Sequence, residues 1–232
     1  MTFSHHHAHA RRDVDMTQGS ITRHLIQFAL PLLAGNVFQQ LYNMVDTWVV
    51  GNFVSDGALA AVGVGFPVIF LFTSLFSGIA TGGTVVIAQA FGGGSPDRVR
   101  SAIDSLYTAF IRSILPITAA ALLLVGPLMT VLRVDPAAQA ETRVYLLVVC
   151  AGLVGNIGYN LNAGILGGMG NSSTTLLFLA VSTILNIFLD LALVLAVPLG
   201  VLGVALGTVI AQLCSWLFGI WYINRRYPQL AI

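Results

Sequence analysis

LLFLAVSTILNIFLDLALVLAV, residues 176 to 197, is an apolar run with one carboxylate inside it, Asp190, and an amide one turn earlier, Asn186. About 20 apolar helical residues cross the roughly 30 Å hydrocarbon layer of a bilayer. The run therefore reads as a transmembrane helix with an acid in its interior. Asp190 lies eight residues before Pro198, roughly 12 Å at 1.5 Å per residue, and an aspartate is too short to reach water from there. An ionisable group at such a level costs about 2.5–3.5 kcal/mol even on lenient insertion scales, and its default reading is functional.

Working outward, five further apolar runs flank this one, so the expected helices are about 24–52, 58–91, 96–132, 137–166, 174–197 and 200–223. Breakers separate them: Ser55-Asp56-Gly57, the glycines before Ser95-Pro96, Asp135-Pro136, residues 167–173, and Pro198-Leu199-Gly200. Ser95 and Asp135, each before a proline, read as N-cap and N1 pairs. Pro31, Pro67, Pro116 and Pro127 fall inside helical runs and are expected to kink them. At 56% hydrophobic and 8% charged residues, with a mean hydropathy of +0.87, the 232-residue chain has no water-facing composition. The expected class is all-α: a polytopic membrane protein with six spans from residue 21 to 232. Residues 1–20, with four histidines and no apolar period, read as a disordered cytoplasmic tail in which Met16 is an alternative start.

Charge and cysteine usage exclude several classes. The net charge is +1, and all ten basic residues are arginines scattered outside the apolar runs except Arg112, which is no footprint for nucleic acid. Cys150 and Cys214 have neither zinc nor redox spacing. No cofactor is expected. Arginine counts place Arg11, Arg12, Arg23, Arg98, Arg100, Arg225 and Arg226 on one side, against Arg133 and Arg143. Both termini are then cytoplasmic by the positive-inside rule, and Trp48, Trp221 and Tyr222 sit at the interfaces.

Topology converts positions into depths. Asp46 lies nine residues before Ser55, Tyr145 nine after Pro136, and Thr208 eight after Gly200, so with Asp190 all four fall roughly 12–14 Å below the outer boundary. Four helices thus offer oxygens in one layer. On the first helix Asn36, Gln39, Gln40, Asn43, Asp46 and Thr47 recur every three or four residues, a stripe that must face protein or a water-filled cavity. Interhelical hydrogen bonding is one reading of it, and a cavity lining is the other. Asn156 and Asn160, four apart, suit either. Gly78, Gly82, Gly83, Gly203 and Gly207 read as close helix packing.

The stretches Gln39 to Thr47, Gly57 to Gly63, Gly168 to Ser172 and Leu185 to Asp190 resemble the multidrug and toxic compound extrusion (MATE) transporters, in their prokaryotic DinF-like branch. The resemblance runs from about Ile21 to Arg226. It implies one amino-terminal lobe of a two-lobe, twelve-helix fold. It also implies a cation-coupling site at Asp46, Asn186, Asp190, Tyr145 and Thr208, with Gln39, Asn36, Asn43 and Asn160 lining the cavity. The implied activity is export of amphipathic or cationic drugs across the bacterial inner membrane in exchange for protons or for sodium, the latter held at Asp46, Asn186, Asp190 and Thr208. A departure lies between the fourth and fifth helices, where the family's basic residues and proline give way to Gly167, Ser173 and Thr175. The second lobe is expected either to be missing from a truncated chain or to come from another copy.

The same residues bear on other classes. A lipid-linked substrate flippase of the same superfamily would want an arginine-lined cavity. A non-transporting membrane partner would confer no efflux. An intramembrane aspartyl protease would share a proton between two aspartates, but Met44-Val45-Asp46-Thr47 and Phe188-Leu189-Asp190-Leu191 lack its Tyr-Asp and Gly-x-Gly-Asp contexts. The chain is therefore expected not to be an enzyme.

Overall fold

A computed structural model describes residues 21–232, apart from several side chains between 21 and 42 that include Pro31, Asn36 and Gln39. The expectations for residues 1–20, for Met16 and for those three side chains lie outside the described residues. Among the described residues seven α-helices follow one another: α1 (Ile21–Phe53), α2 (Asp56–Gly92), α3 (Pro96–Val131), α4 (Gln139–Ala151), α5 (Leu153–Gly168), α6 (Ser172–Leu191) and α7 (Val201–Arg226). Among the described residues there is no strand.

Helices α2, α3, α6 with its extension to Ala196, and α7 are long and apolar enough to cross a membrane, and the bent pair α4–α5 is so only when taken together as one span. Helix α1, at 33 residues, has the length but is not among the helices apolar enough to cross, so the described residues hold four to five such crossings where six are expected. The single helix expected over 137–166 is in fact two, meeting at Gly152 with a bend of 47°. The cause is packing. Gly152, Gly155 and Gly158 face Val209, Leu213 and Trp216 of α7, and a Cβ on any of the three would overlap those side chains. By contrast α2 continues through Pro67, and α3 through Pro116 and Pro127, so the break falls at a glycine rather than at a proline.

Three boundaries also differ from expectation. Ser95 does precede α3, but its side chain makes no capping bond. Asp135 caps a turn instead of a helix: its Oδ1 accepts from the Ala137 N–H at 2.8 Å, and α4 starts only at Gln139. Helix α6 begins at Ser172, where the Asn171 side chain accepts from the Thr174 N–H, and after Leu191 it widens into a π-helical turn, Ala192–Ala196.

Packing runs α1 on α6, α6 on α7 and α7 on α5, while α2 lies against α3, α4 and α5. Phe110 joins the layers, edge to face with Phe76 at 5.9 Å and with Trp216 at 5.5 Å. Tyr107 donates to the Asn162 side-chain oxygen, and Asn162 Nδ2 donates to the Trp216 carbonyl at 2.9 Å. Tyr222, expected at an interface, is half-buried against Phe178 and bonds with Thr174, whereas Trp48 and Trp221 are exposed.

At the start of α2 the Ser55 hydroxyl accepts from the Ala58 N–H at 3.0 Å and lies 2.8 and 2.9 Å from the Glu141 carboxylate oxygens. One hydroxyl thus caps α2 and ties it to α4. Ser55→Ala is expected to cost about 1–2 kcal/mol, lowering Tm by on the order of 2–8 °C in a chain of this size. Thermal unfolding of the purified protein in detergent checks this, and an unchanged Tm would show that the link contributes nothing.

Candidate functional site

Helix α6 is two-faced. Val181, Ile184 and Phe188 point outward, Phe188 being 66% exposed, whereas Ser182, Asn186 and Asp190 point inward with Asn186 and Asp190 at 0%. Asp190 therefore faces protein and not acyl chains. Asp46 of α1, 4% exposed, lies within hydrogen-bonding reach of Asp190. Such a bond needs a proton on one carboxyl, because two carboxylates are acceptors only.

The surroundings leave oxygens free. Asn186 Nδ2 donates to Asp190 Oδ1 at 3.4 Å. With both acids ionised, Asp46 Oδ1, Asp190 Oδ2, Asn186 Oδ1 and Thr208 Oγ1 are buried without a hydrogen-bond partner. Buried polar atoms are nearly always paired. Two of these four unpaired oxygens are acidic, and such oxygens have the chemistry to hold a proton or a small oxygen-loving cation.

Two glycines shape this pocket. A Cβ on Gly207 of α7 would fall on Asp190 Oδ1, and one on Gly65 of α2 would fall on the Tyr145 ring. The absent side chains let the carboxylate and the phenol approach so closely. Tyr145 is buried beside both acids.

A cavity of about 470 Å³ opens next to the pair, and Asp46, Tyr145 and Thr208 reach it together with Asn43, Asn160, Gln40 and Thr47. Asp190 lies behind this lining. Asn36 and Gln39 fall outside the described side chains. Asn160 Nδ2 is engaged by the Asn156 carbonyl at 2.8 Å, and Thr47 donates to the Asn43 carbonyl at 2.8 Å. Gln212, one turn beyond Thr208 on α7, and Thr73 of α2 also line the cavity. Thr142, one turn before Tyr145, is fully buried with its hydroxyl unpaired. Sequence reasoning missed these three. The i+4 step from Thr208 to Gln212 and the i+3 step from Thr142 to Tyr145 were the available signals. Among the described residues no three His, Cys, Asp or Glu side chains gather as a metal site.

The MatE family profile matches residues 31–192, more than half of the chain, and covers the helices that carry both acids. The chain belongs to the MatE family. Relatives of this MatE chain include a probable multidrug resistance protein of Bacillus subtilis strain 168, YpnP, 25% identical over 91% of this chain and 48% of its own length. Another is the probable multidrug resistance protein NorM of Thermotoga maritima, 29% identical over 83% of this chain and 42% of its own. The DNA damage-inducible protein F of Escherichia coli K12 is 29% identical over 87% and 44%. Among solved structures, the outward-facing conformation of a multidrug resistance MATE transporter superposes with a TM-score of 0.84 at 25% identity, over 92% of this chain and 48% of that one. The MatE chain thus spans about half the length of the relatives it matches. These relatives are transporters and not enzymes.

Proposed function

We propose that the chain is the amino-terminal lobe of an antiporter that exports amphipathic or cationic small molecules in exchange for protons or sodium. A second lobe, on the same polypeptide or on another copy, would complete the pathway. In this reading α1 is the sixth span, both termini are cytoplasmic, and the protein resides in the bacterial inner membrane. The observation that carries the proposal is the Asp46–Asp190 pair with its unpaired oxygens beside the cavity.

The mechanism follows from charge in a low dielectric. Two neighbouring buried carboxylates repel, so the empty pair favours a packing that lets water or a cation approach. Binding one proton or sodium ion lowers the negative charge and favours a drier, tighter packing of α1 against α6. A ligand moves such an equilibrium only by its differential affinity for the two packings, and a change of charge at a buried pair supplies one. The cavity beside Asp46 takes the cargo. Its amides, Gln40, Asn43, Asn156, Asn160 and Gln212, can hydrogen-bond varied molecules, and Phe66 and Phe70 offer apolar faces. Among the described residues no arginine lines it, which weighs against the flippase reading.

The test is efflux of a cationic dye from proteoliposomes that hold this lobe together with its second lobe, under an imposed proton or sodium gradient. Gradient-dependent efflux that disappears with Asp46→Asn is expected; indifference to both gradients would overturn the proposal. Thr208→Val separates the ions. Sodium needs oxygen ligands whereas a proton needs only a carboxylate, so loss of the hydroxyl should weaken sodium-driven efflux by about tenfold, some 1.4 kcal/mol of binding, and leave proton-driven efflux nearly intact. Equal losses under both gradients would remove Thr208 from the ion site.

A further inference from the structure

Helix α3 carries a second polar feature, far from the aspartate pair and on the outside of the bundle. Arg112 lies in the apolar stretch of α3, exposed, with Ile111 66% and Leu115 78% exposed beside it. A face with such neighbours meets lipid. Among the described residues the ion pair on this face is Arg100 with Asp104, at 3.9 Å, so the Arg112 guanidinium has no acid of its own. A charge at that level must be matched by a counter-group or reach the interface.

Helix direction says where it reaches. Side chains tilt toward the helix N-terminus, and the N-terminal turns of α3 hold Asp97, Arg98, Arg100 and Asp104. Arg112 therefore extends along Thr108 toward the aqueous end. Asp104, Ser105, Thr108 and Arg112 line one surface recess of about 520 Å³. Next to it, α2 and α3 border a groove of about 740 Å³ whose floor includes Gly78 and Gly82, and Ser101 and Ser105 belong to both recess and groove. Gly83 packs on Leu106, but a Cβ on Gly78 or Gly82 would meet nothing within 4 Å. Those two glycines, expected to serve helix packing, leave open space instead.

We propose that this face binds one phospholipid with a zwitterionic, primary-amine headgroup, such as phosphatidylethanolamine. Arg112 and the Thr108 hydroxyl hold the phosphate, Asp104 holds the ammonium, and an acyl chain lies in the groove over Gly78 and Gly82. The depth order matches: the cation is deeper and the anion shallower by eight residues, roughly 12 Å of rise, as phosphate lies deeper than amine in such a headgroup. The recess carries arginine and aspartate together. Asp97 and Asp104 balance Arg100 and Arg112 in the lining, with Asp104 shared between Arg100 at 3.9 Å and the ammonium; a purely anionic headgroup would leave the two acids unmatched, and a quaternary amine could not donate to Asp104.

Native mass spectrometry of the purified chain, exchanged with phosphatidylethanolamine, phosphatidylcholine or phosphatidylglycerol, tests this. Retention of the ethanolamine lipid is expected to exceed that of the choline lipid by about tenfold, the scale of one charge-assisted hydrogen bond. Arg112→Ala should lower retention of all three, Asp104→Asn should erase the ethanolamine-over-choline preference, and Gly82→Leu should weaken binding by filling the groove. Arg112 and Asp104 are exposed, so their variants should fold with unchanged Tm. Equal retention by Arg112→Ala, preference for the glycerol lipid, or a dimer that excludes lipid from this face would each overturn the proposal.

Discussion

Asp190→Asn should reduce ion-driven export by on the order of tenfold or more, since each tenfold corresponds to only about 1.4 kcal/mol of lost differential binding, while leaving the protein at least as stable. The amide keeps the shape of the side chain but cannot take up a proton or offer a charge to sodium. Asp46 then stands alone, and loading a cation no longer relieves a repulsion between two acids. The sign of the stability effect is the control. The native carboxyl is fully buried, faces a like charge and has an unpaired oxygen, so neutralising it removes a cost. Efflux under an imposed gradient and Tm in detergent should therefore move independently. Full retention of gradient-driven export would remove Asp190 from the mechanism, and a collapse in Tm would mark it as a structural residue.

Gly207→Ala is expected to be nearly as damaging for a different reason. In a helix interior alanine is ordinarily better than glycine by about 1 kcal/mol. Here the added methyl falls on the Asp190 carboxylate, and overpacking costs about 1–3 kcal/mol, so Tm should fall against the propensity trend. Transport should drop by on the order of tenfold as the carboxylate is pushed out of register with Asp46. A double-mutant cycle isolates the contact: in an Asp190→Ala background the carboxylate is gone, and Gly207→Ala should regain most of the lost stability. Equal destabilisation in both backgrounds would place the defect elsewhere along α7.

Much of this geometry was readable beforehand. Apolar run lengths located the spans to within a few residues, because hydrocarbon thickness leaves little choice of length. Counting helical rise from Ser55 and Pro198 set Asp46 and Asp190 at one level, where they do meet. The break at Gly152 was not readable. It depends on which glycines face α7, and residues 146–155 around it hold no proline and no charged or amide side chain to mark it. The same limit applied to Gly78 and Gly83: both read as packing glycines, yet one meets open space and the other Leu106. The π turn after Leu191 also left no trace, since Ala192–Ala196 is as apolar as the helix before it. Periodicity reports a residue's face, whereas partners across the interface decide whether that face is filled.

Asp46 borders the cavity, and Asp190 is sealed behind it between α7 and the lipid-facing side of α6. On the proposed transport reading, an ion arriving from the cavity meets the front acid before the rear one and leaves in reverse. A bulky guest lodged at Asp46 would then stand in that ion's way, and guest and ion would take turns without any long-range signal between them.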